Sequence, residues 1–593
     1  MSHTFHIPVL GLGYSVDTPL KIARYGISSV ISIVDDELVE RMREYHTLNN
    51  DQPFTPVPKT NPDARAKRIT AYLNLVNDLV KKQFEDLKQQ PFEPGTDIIR
   101  YFELLPDSSQ LKQGYDLMLD YPDNERRQIF QNILRKKMTI GAIDVNIMSK
   151  VDKMNFDADG NYLGDENTDA LAALRGFVNS NLHSSIILSA GMNPRLYSYL
   201  ETFDEFLPDN EGQFSKRIIL KVSDFRSAFI QAKFLAKKGL WVSEFRVESG
   251  LNCGGHAFAT EGFLLGPILE EFKEKRTEMT AELFQLYQGA LTVKDIDSSV
   301  TPKQSLTVQG GIGTAEENNF LIEHYQVDAT GWGSPFLLVP EATNVDEQTL
   351  TLLADASADD FYVSNSSPLG ILFNNFRPNS MEQLRLKRLQ INRPGSPCTK
   401  KYLVTNTEFT EQPICTASRE YQHLKIKQLQ SLNLPHNELK QQVDSVTEKI
   451  CLCEGLCTSA YIKNDLLKPK EIAAVAVCPG PNLAYFNRLY TLDEMVKHIY
   501  GKLNLLEKVK RPHMFIKELD LYVEYLQADI KSHLMNLNDK KRKQLDKFRA
   551  QLQDGIAYYK QLFNQSAGML NFNMDWMNEL AGFEDILNKL IIS

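Results

Sequence analysis

The feature that most restricts what this chain can fold into is a repeated couplet: a short run rich in β-branched residues, a glycine near its end, and a helical stretch after it. Ile7 to Tyr14 is an apolar run ending in glycines. Thr18-Pro19 then caps a helix to about Tyr25, which Gly26 closes, and Ser28 to Val34 is a second run of strand character. From about Asp36 to Lys137 the couplet gives way to helical spacing, with Ile69, Leu73, Val76 and Val80 on one face after a Pro62-Asp63 start. The strand pattern resumes at 140–148, 184–189, 217–222, 239–247, 305–308 and 326–330, with helices expected at 168–177, 225–238, 268–287 and from Ala315. About eight strands alternating with helices define an α/β chain, and a parallel set of that number closes into a (β/α)8 TIM barrel of about 250 residues. The helical insertion at 36–137 is expected to pack on the barrel exterior rather than to act as a lid.

A chain of 593 residues is too long for the barrel alone. The division expected is a barrel over 1–380, a mixed Cys-containing extension over 381–485, and a helical C-terminal region over 486–593, with (β/α)8 closure confined to the first. Thr491 and Glu494 form a capping box at the start of the helical region. Phe515, Leu519, Tyr522 and Leu526 recur at helical spacing, a stripe that serves as core or as a contact between copies in a homo-oligomer. The formal charge of -10 argues against a nucleic-acid binder. No basic-then-apolar leader opens the chain and no apolar run approaches a membrane span, so the expectation is a cytoplasmic protein acting on a small-molecule substrate, with no membrane partner. Seven Cys, an odd and low number, fit reduced thiols.

Ser249 to His256, Ser-Gly-Leu-Asn-Cys-Gly-Gly-His, puts a titratable imidazole behind two glycines at the end of the 239–247 strand, where parallel α/β proteins build their sites. Two later turns, Gln309-Gly310-Gly311 and Gly333-Ser334, each follow a strand and precede a helix. Bare main-chain amides there suit a phosphate.

These segments together resemble the nitronate monooxygenase (2-nitropropane dioxygenase) family of FMN-dependent TIM-barrel enzymes, whose relatives include flavin-dependent enoyl reductases. Pro8 to Tyr14 resembles the first strand and flavin-contacting turn, Val145-Asn146-Ile147 the Val-Asn-Leu strand, Ser189 to Pro194 the Phe-Gly-Leu-Pro turn, and Cys253 to His256 the Ala-Gly-Gly-His signature. Gly310-Gly311-Ile312 resembles Gly-Gly-Ile, and Gly333 to Phe336 resembles Gly-Thr-Arg-Phe. The resemblance implies FMN as cofactor. Leu12, Gly13, Tyr14 and Asn146 would lie along the isoalloxazine, Lys221 near its polar edge, Gly254 and Gly255 beside it, and Gln309, Gly310, Gly311, Gly333 and Ser334 around the phosphate. His256 would be the acid or base facing the substrate. Tyr14 stands where Met is usual and Ser334 where Thr is usual, which changes the flavin face and keeps a hydroxyl at the phosphate turn. The activity implied is oxidation of a nitronate-like carbanion. The alternatives are NAD(P)H-driven enoyl reduction linked to fatty-acid or polyketide synthesis, with Cys478 to Asn487 faintly similar to a segment of those larger enzymes, and a non-catalytic FMN-binding scaffold.

Three other clusters are less telling. Asn155, Asp157, Asp159, Gly160 and Glu166 follow calcium-loop spacing without the flanking helices of an EF-hand, and a solvated loop is the plainer account. Cys415, Cys451, Cys453, Cys457 and Cys478 raise an iron–sulfur cluster but match none of its common frameworks, so buried thiols are expected. Lys150, Asp152 and Lys153 form a charged rim, and Lys540 to Lys543 a solvated helix face.

Overall fold

The computed structural model describes residues 2–122, 125–157, 159–189, 191–256, 262–297, 299–533, 538–565 and 574–590. Eight strands form the centre: β1 Phe5–Ile7, β2 Ser28–Ser32, β3 Ile143–Met148, β4 Ser184–Ser189, β5 Lys216–Val222, β6 Val242–Glu248, β7 Ser305–Gln309 and β8 Ala329–Gly331. Each pairs in parallel with the next, and His6 of β1 pairs with Gly331 of β8, so the sheet closes on itself. The expected (β/α)8 barrel is therefore present.

Two strands are shorter than expected, for local reasons. β1 stops at Ile7 because Pro8 has no N–H to continue the ladder. β8 starts at Ala329 because Gln326 is in the left-handed region at φ 56° and ends the preceding helix. Residues 361–376 lie outside the barrel sheet. They form an antiparallel pair, β9 Phe361–Ser364 with β10 Phe373–Phe376.

The insertion supplies outer-layer helices. Ala64–Gln89 buries Ile69, Leu73, Val76 and Val80 and lies on Asp169–Val178, so close that a side chain on Gly176 would strike the Ala66 carbonyl at 2.8 Å. It is anchored by Arg65 and Arg68, each 2.9 Å from the Asp36 carboxylate. This is the exterior packing expected of it.

The C-terminal helices Met514–His533 and Asp539–Gln565 also pack on the barrel. Phe515, Leu519, Tyr522 and Leu526 are all buried within this one chain, so the stripe is core. Each such side chain contributes about 1.5–3 kcal/mol by leaving water. Among the described residues no helix is long and apolar enough to cross a membrane.

One carboxylate ties this helical region to the loop that carries the candidate imidazole. Glu518 Oε1 accepts from Ser249 Oγ at 2.7 Å and the Gly250 N–H at 2.8 Å, and Oε2 accepts from the Leu265 N–H at 2.7 Å. Replacing it leaves three buried donors unpaired. Glu518→Ala is expected to cost about 3 kcal/mol or more of stability, read as a lowered urea midpoint. An unchanged midpoint would show that this carboxylate does not anchor the loop.

Candidate functional site

The C-terminal ends of the strands open into a hollow holding about 1120 Å³ of empty space, its opening to solvent included. Pro8, Val9, Leu12, Val30 and Ile187 give it apolar walls, while Ser32, Asn146, Lys221, Arg246, Glu248 and Gln309 bring polar groups from the strand ends. The roof comes from the extension, through Tyr402, Leu403, Leu452 and Leu456. The mixed region expected at 381–485 thus completes the cavity, a role that its sequence did not announce.

The polar groups follow from strand periodicity. In Glu244-Phe245-Arg246-Val247-Glu248 the charged residues alternate with apolar ones, so one face of β6 carries all three charges. Arg246 Nε is 2.8 Å from Glu244 and its guanidinium 3.7 Å from Asp144 of β3, while Thr307 donates to Glu244 at 2.6 Å. Above them Glu248 bonds Lys221 at 2.7 Å and accepts from Gln309 Nε2 at 2.7 Å. Arg246 and Glu248 were missed as site residues, although this alternation was readable. Gln309 Oε1 faces His6 Nε2 without a hydrogen bond of normal geometry, and Ser32 Oγ has no partner among the described residues. Buried polar atoms left in this state are ready to bond a ligand.

His256 reaches the cavity because the backbone before it turns twice through the left-handed region, at Gly254 with φ 125° and Gly255 with φ 82°. Asn252 holds that turn, donating to the His256 carbonyl at 2.8 Å and accepting from the Gly254 N–H at 3.0 Å and Asn374 Nδ2 at 2.7 Å. The imidazole stands edge-on to Phe373 at 5.2 Å, with Nε2 2.8 Å from Ser367 Oγ. Burial, then the positive charges of Lys221 and Lys150, lower its pKa to about 4. At neutral pH the ring is uncharged. Residues 257–261, which follow it, lie outside the described residues, as does residue 190 of the expected Ser189 to Pro194 turn.

Seven of the expected site residues line this cavity together: Leu12, Asn146, Lys221, Gly254, Gly255, His256 and Gln309. The others do not. Gly13 donates its N–H to the Leu456 carbonyl at 2.9 Å, and Tyr14 is buried with its hydroxyl donating to the Ala476 carbonyl at 2.6 Å. Both therefore hold the extension in place instead of flanking a ring. Gly310 lies against Asn252, Gly311 against Leu251 and Gly333 against Cys253, while Ser334 Oγ donates to the Cys253 carbonyl at 3.0 Å. The two glycine turns are neighbours, as a phosphate clasp requires, but this chain's own atoms fill the space between them. The cavity's apolar walls and polar strand ends have the chemistry that a flat, polar-edged ring would need, whereas side chains and carbonyls of this chain crowd the glycine turns where a phosphate was expected.

The remaining clusters are structural. Asp157 accepts from the N–H groups of Asp159 and Asn161 at 3.0 and 2.8 Å, an ordinary turn. The cysteines are free thiols, and among the described residues no group of His, Cys, Asp or Glu is placed to hold a metal.

No family model matches the chain, and no curated protein matches it. Among solved structures, FabK from Thermotoga maritima is 13% identical, covering 69% of this chain and 84% of its own, with a TM-score of 0.30. The enoyl reductase domain of MlnA from Bacillus amyloliquefaciens is 16% identical, covering 65% and 88%, with a TM-score of 0.34. Nitroalkane oxidase from Streptomyces ansochromogenes is 10% identical, covering 85% and 95%, with a TM-score of 0.34. The barrel assignment rests on the strand pairing of this chain and not on these likenesses.

The electrostatics give a sign. A His whose folded pKa lies below its ordinary 6.5 binds fewer protons folded than unfolded, so its contribution to stability is complete above 6.5 and is lost as pH falls toward 4. An NMR titration of the His256 ring is expected to show a midpoint near 4, moving upward in Lys221→Met. A midpoint at 6.5 would place the ring in water.

Proposed function

We propose that this protein is an oxidoreductase that takes the ring system of a flavin into the cavity at the barrel mouth, with His256 as the base that removes a proton from a small carbon acid. The observation that carries the reading is one cavity with apolar walls, a Ser32 hydroxyl without a partner among the described residues, and an uncharged imidazole at its edge. A flavin supplies the electron or hydride acceptance that no side chain can.

The side chains account for orientation and proton handling. Glu248 fixes Lys221 and Gln309 at once, so donor and acceptor positions are set before a ligand arrives. Leu12, Leu403 and Leu452 exclude water on the roof side. Burial keeps the His256 imidazole uncharged at neutral pH, so the ring presents a proton acceptor to a substrate and not a proton donor. An uncharged imidazole supports proton removal that forms a nitronate-like carbanion ahead of enoyl reduction, which needs a proton donor.

Purified protein incubated with flavin should show bound-flavin absorption and consume oxygen with a nitroalkane or its nitronate. His256→Ala should lower turnover by about 10²–10⁴-fold while flavin binding stays unchanged. Unaltered turnover would rule out His256 as the base. Bound flavin that no nitronate oxidises or reduces, but that NAD(P)H bleaches anaerobically, would move the assignment to enoyl reduction.

A further inference from the structure

We infer that this protein holds its flavin by the ring alone, because residues 478–482 of the same chain occupy the phosphate place, and that it accepts an unphosphorylated flavin as readily as the mononucleotide. The inference rests on the function proposed above and narrows the ligand class.

In the turn after β6 the Gly255 amide, and in the turn after β8 the serine hydroxyl, are already engaged by residues 478–480 of the chain. The Gly255 N–H donates to the Cys478 carbonyl at 2.9 Å, and Gly254 pairs with Pro479 in an antiparallel bridge. Ser334 Oγ accepts from the Gly480 N–H at 2.7 Å. The fit is close: a side chain on Gly254 would meet the Cys478 carbonyl oxygen at 2.3 Å, and one on Gly480 the Asn252 carbonyl oxygen at 2.4 Å.

The charge is supplied internally as well. Helix Ala315–Tyr325 begins just after the Gly310-Gly311 turn, where a phosphate would gain from the positive end of the helix. The carboxylate of Glu317 takes that place, accepting from the Gly313 N–H at 2.9 Å and the Met514 N–H at 2.7 Å. Arg511, the cation at this turn, is buried against Glu317 at 2.7 Å, bonds Asn482 Oδ1 at 2.9 Å and donates to the Gly311 carbonyl. Asn482 Nδ2 donates in turn to the Ile312 carbonyl at 2.7 Å. A dianion arriving here would meet a carboxylate and carbonyl oxygens. Of the cations lining the cavity, Lys221 is paired with Glu248 and Arg246 with Glu244.

The test is a titration of the full chain, freed of flavin, with lumiflavin, riboflavin and FMN, followed by quenching of flavin fluorescence with and without inorganic phosphate. Kd values within about threefold of one another, unaffected by phosphate, are expected, since a ring-only site gains nothing from the tail. A clasp of two or more charge-assisted hydrogen bonds would favour FMN by about 100-fold. That result, or competition by phosphate, overturns the inference and leaves the proposed function standing. Failure of all three flavins to bind overturns the proposed function itself.

Discussion

The antiparallel contact of Gly254 and Gly255 with Cys478 and Pro479 joins two stretches far apart in the chain, and the rest of the site depends on it. On one side it fixes the loop carrying His256. On the other it fixes the extension whose Tyr402, Leu403 and Leu452 roof the cavity. Without it the barrel mouth would be an open funnel. Each main-chain hydrogen bond of this kind is worth only about 1 kcal/mol, so the contact holds because apolar packing surrounds it. Val475, Val477 and Leu483 belong to the same continuous core as the barrel strands.

Glycine is what permits the contact. The two chains approach so closely at Gly254 and Gly480 that a methyl group on either would strike a carbonyl oxygen. In the sequence alone, a Gly-Gly before His reads equally well as room for a ligand or as room for another segment of the same chain, since either demands a missing Cβ. Resemblance to a flavin family placed the pair beside the isoalloxazine. In the structure the Gly255 N–H is taken by the Cys478 carbonyl of the same chain.

What was legible in the sequence is what local periodicity controls. Ser184–Ser189 and the capping box at Thr491 appear where the pattern put them, and the alternation of strand and helix implied the closed sheet. The cavity residues at strand ends, Asn146, Lys221 and Gln309, were also legible, because a position near the C-terminal end of a barrel strand fixes its place at the mouth. Gly13 and Tyr14 were misplaced for the opposite reason. They lie in a turn whose direction is set by the extension they touch, through Leu456 and Ala476. Contacts so distant in sequence leave no periodic trace. The same holds for the roof and for Ser367 beside His256.

The barrel interior shows what the cavity offers a ligand other than a phosphate clasp. A flavin held by its tail can rest in a permissive pocket; one held by its ring needs walls that match it. Here the floor is a layer of Val30, Ile187 and Ile219, with Val9 packed on it. The charged residues beneath and beside it are bonded to one another, Arg246 to Glu244 and Lys221 to Glu248, so they present fixed dipoles rather than mobile charges. Under the proposed function such a wall would select by shape and by the orientation that Glu248 imposes on Gln309. It also keeps His256 uncharged, since the same burial that shapes the wall removes the water that an imidazolium would need. Ring selection and proton removal, as proposed, would follow from one physical condition, a barrel mouth roofed by the chain's own extension.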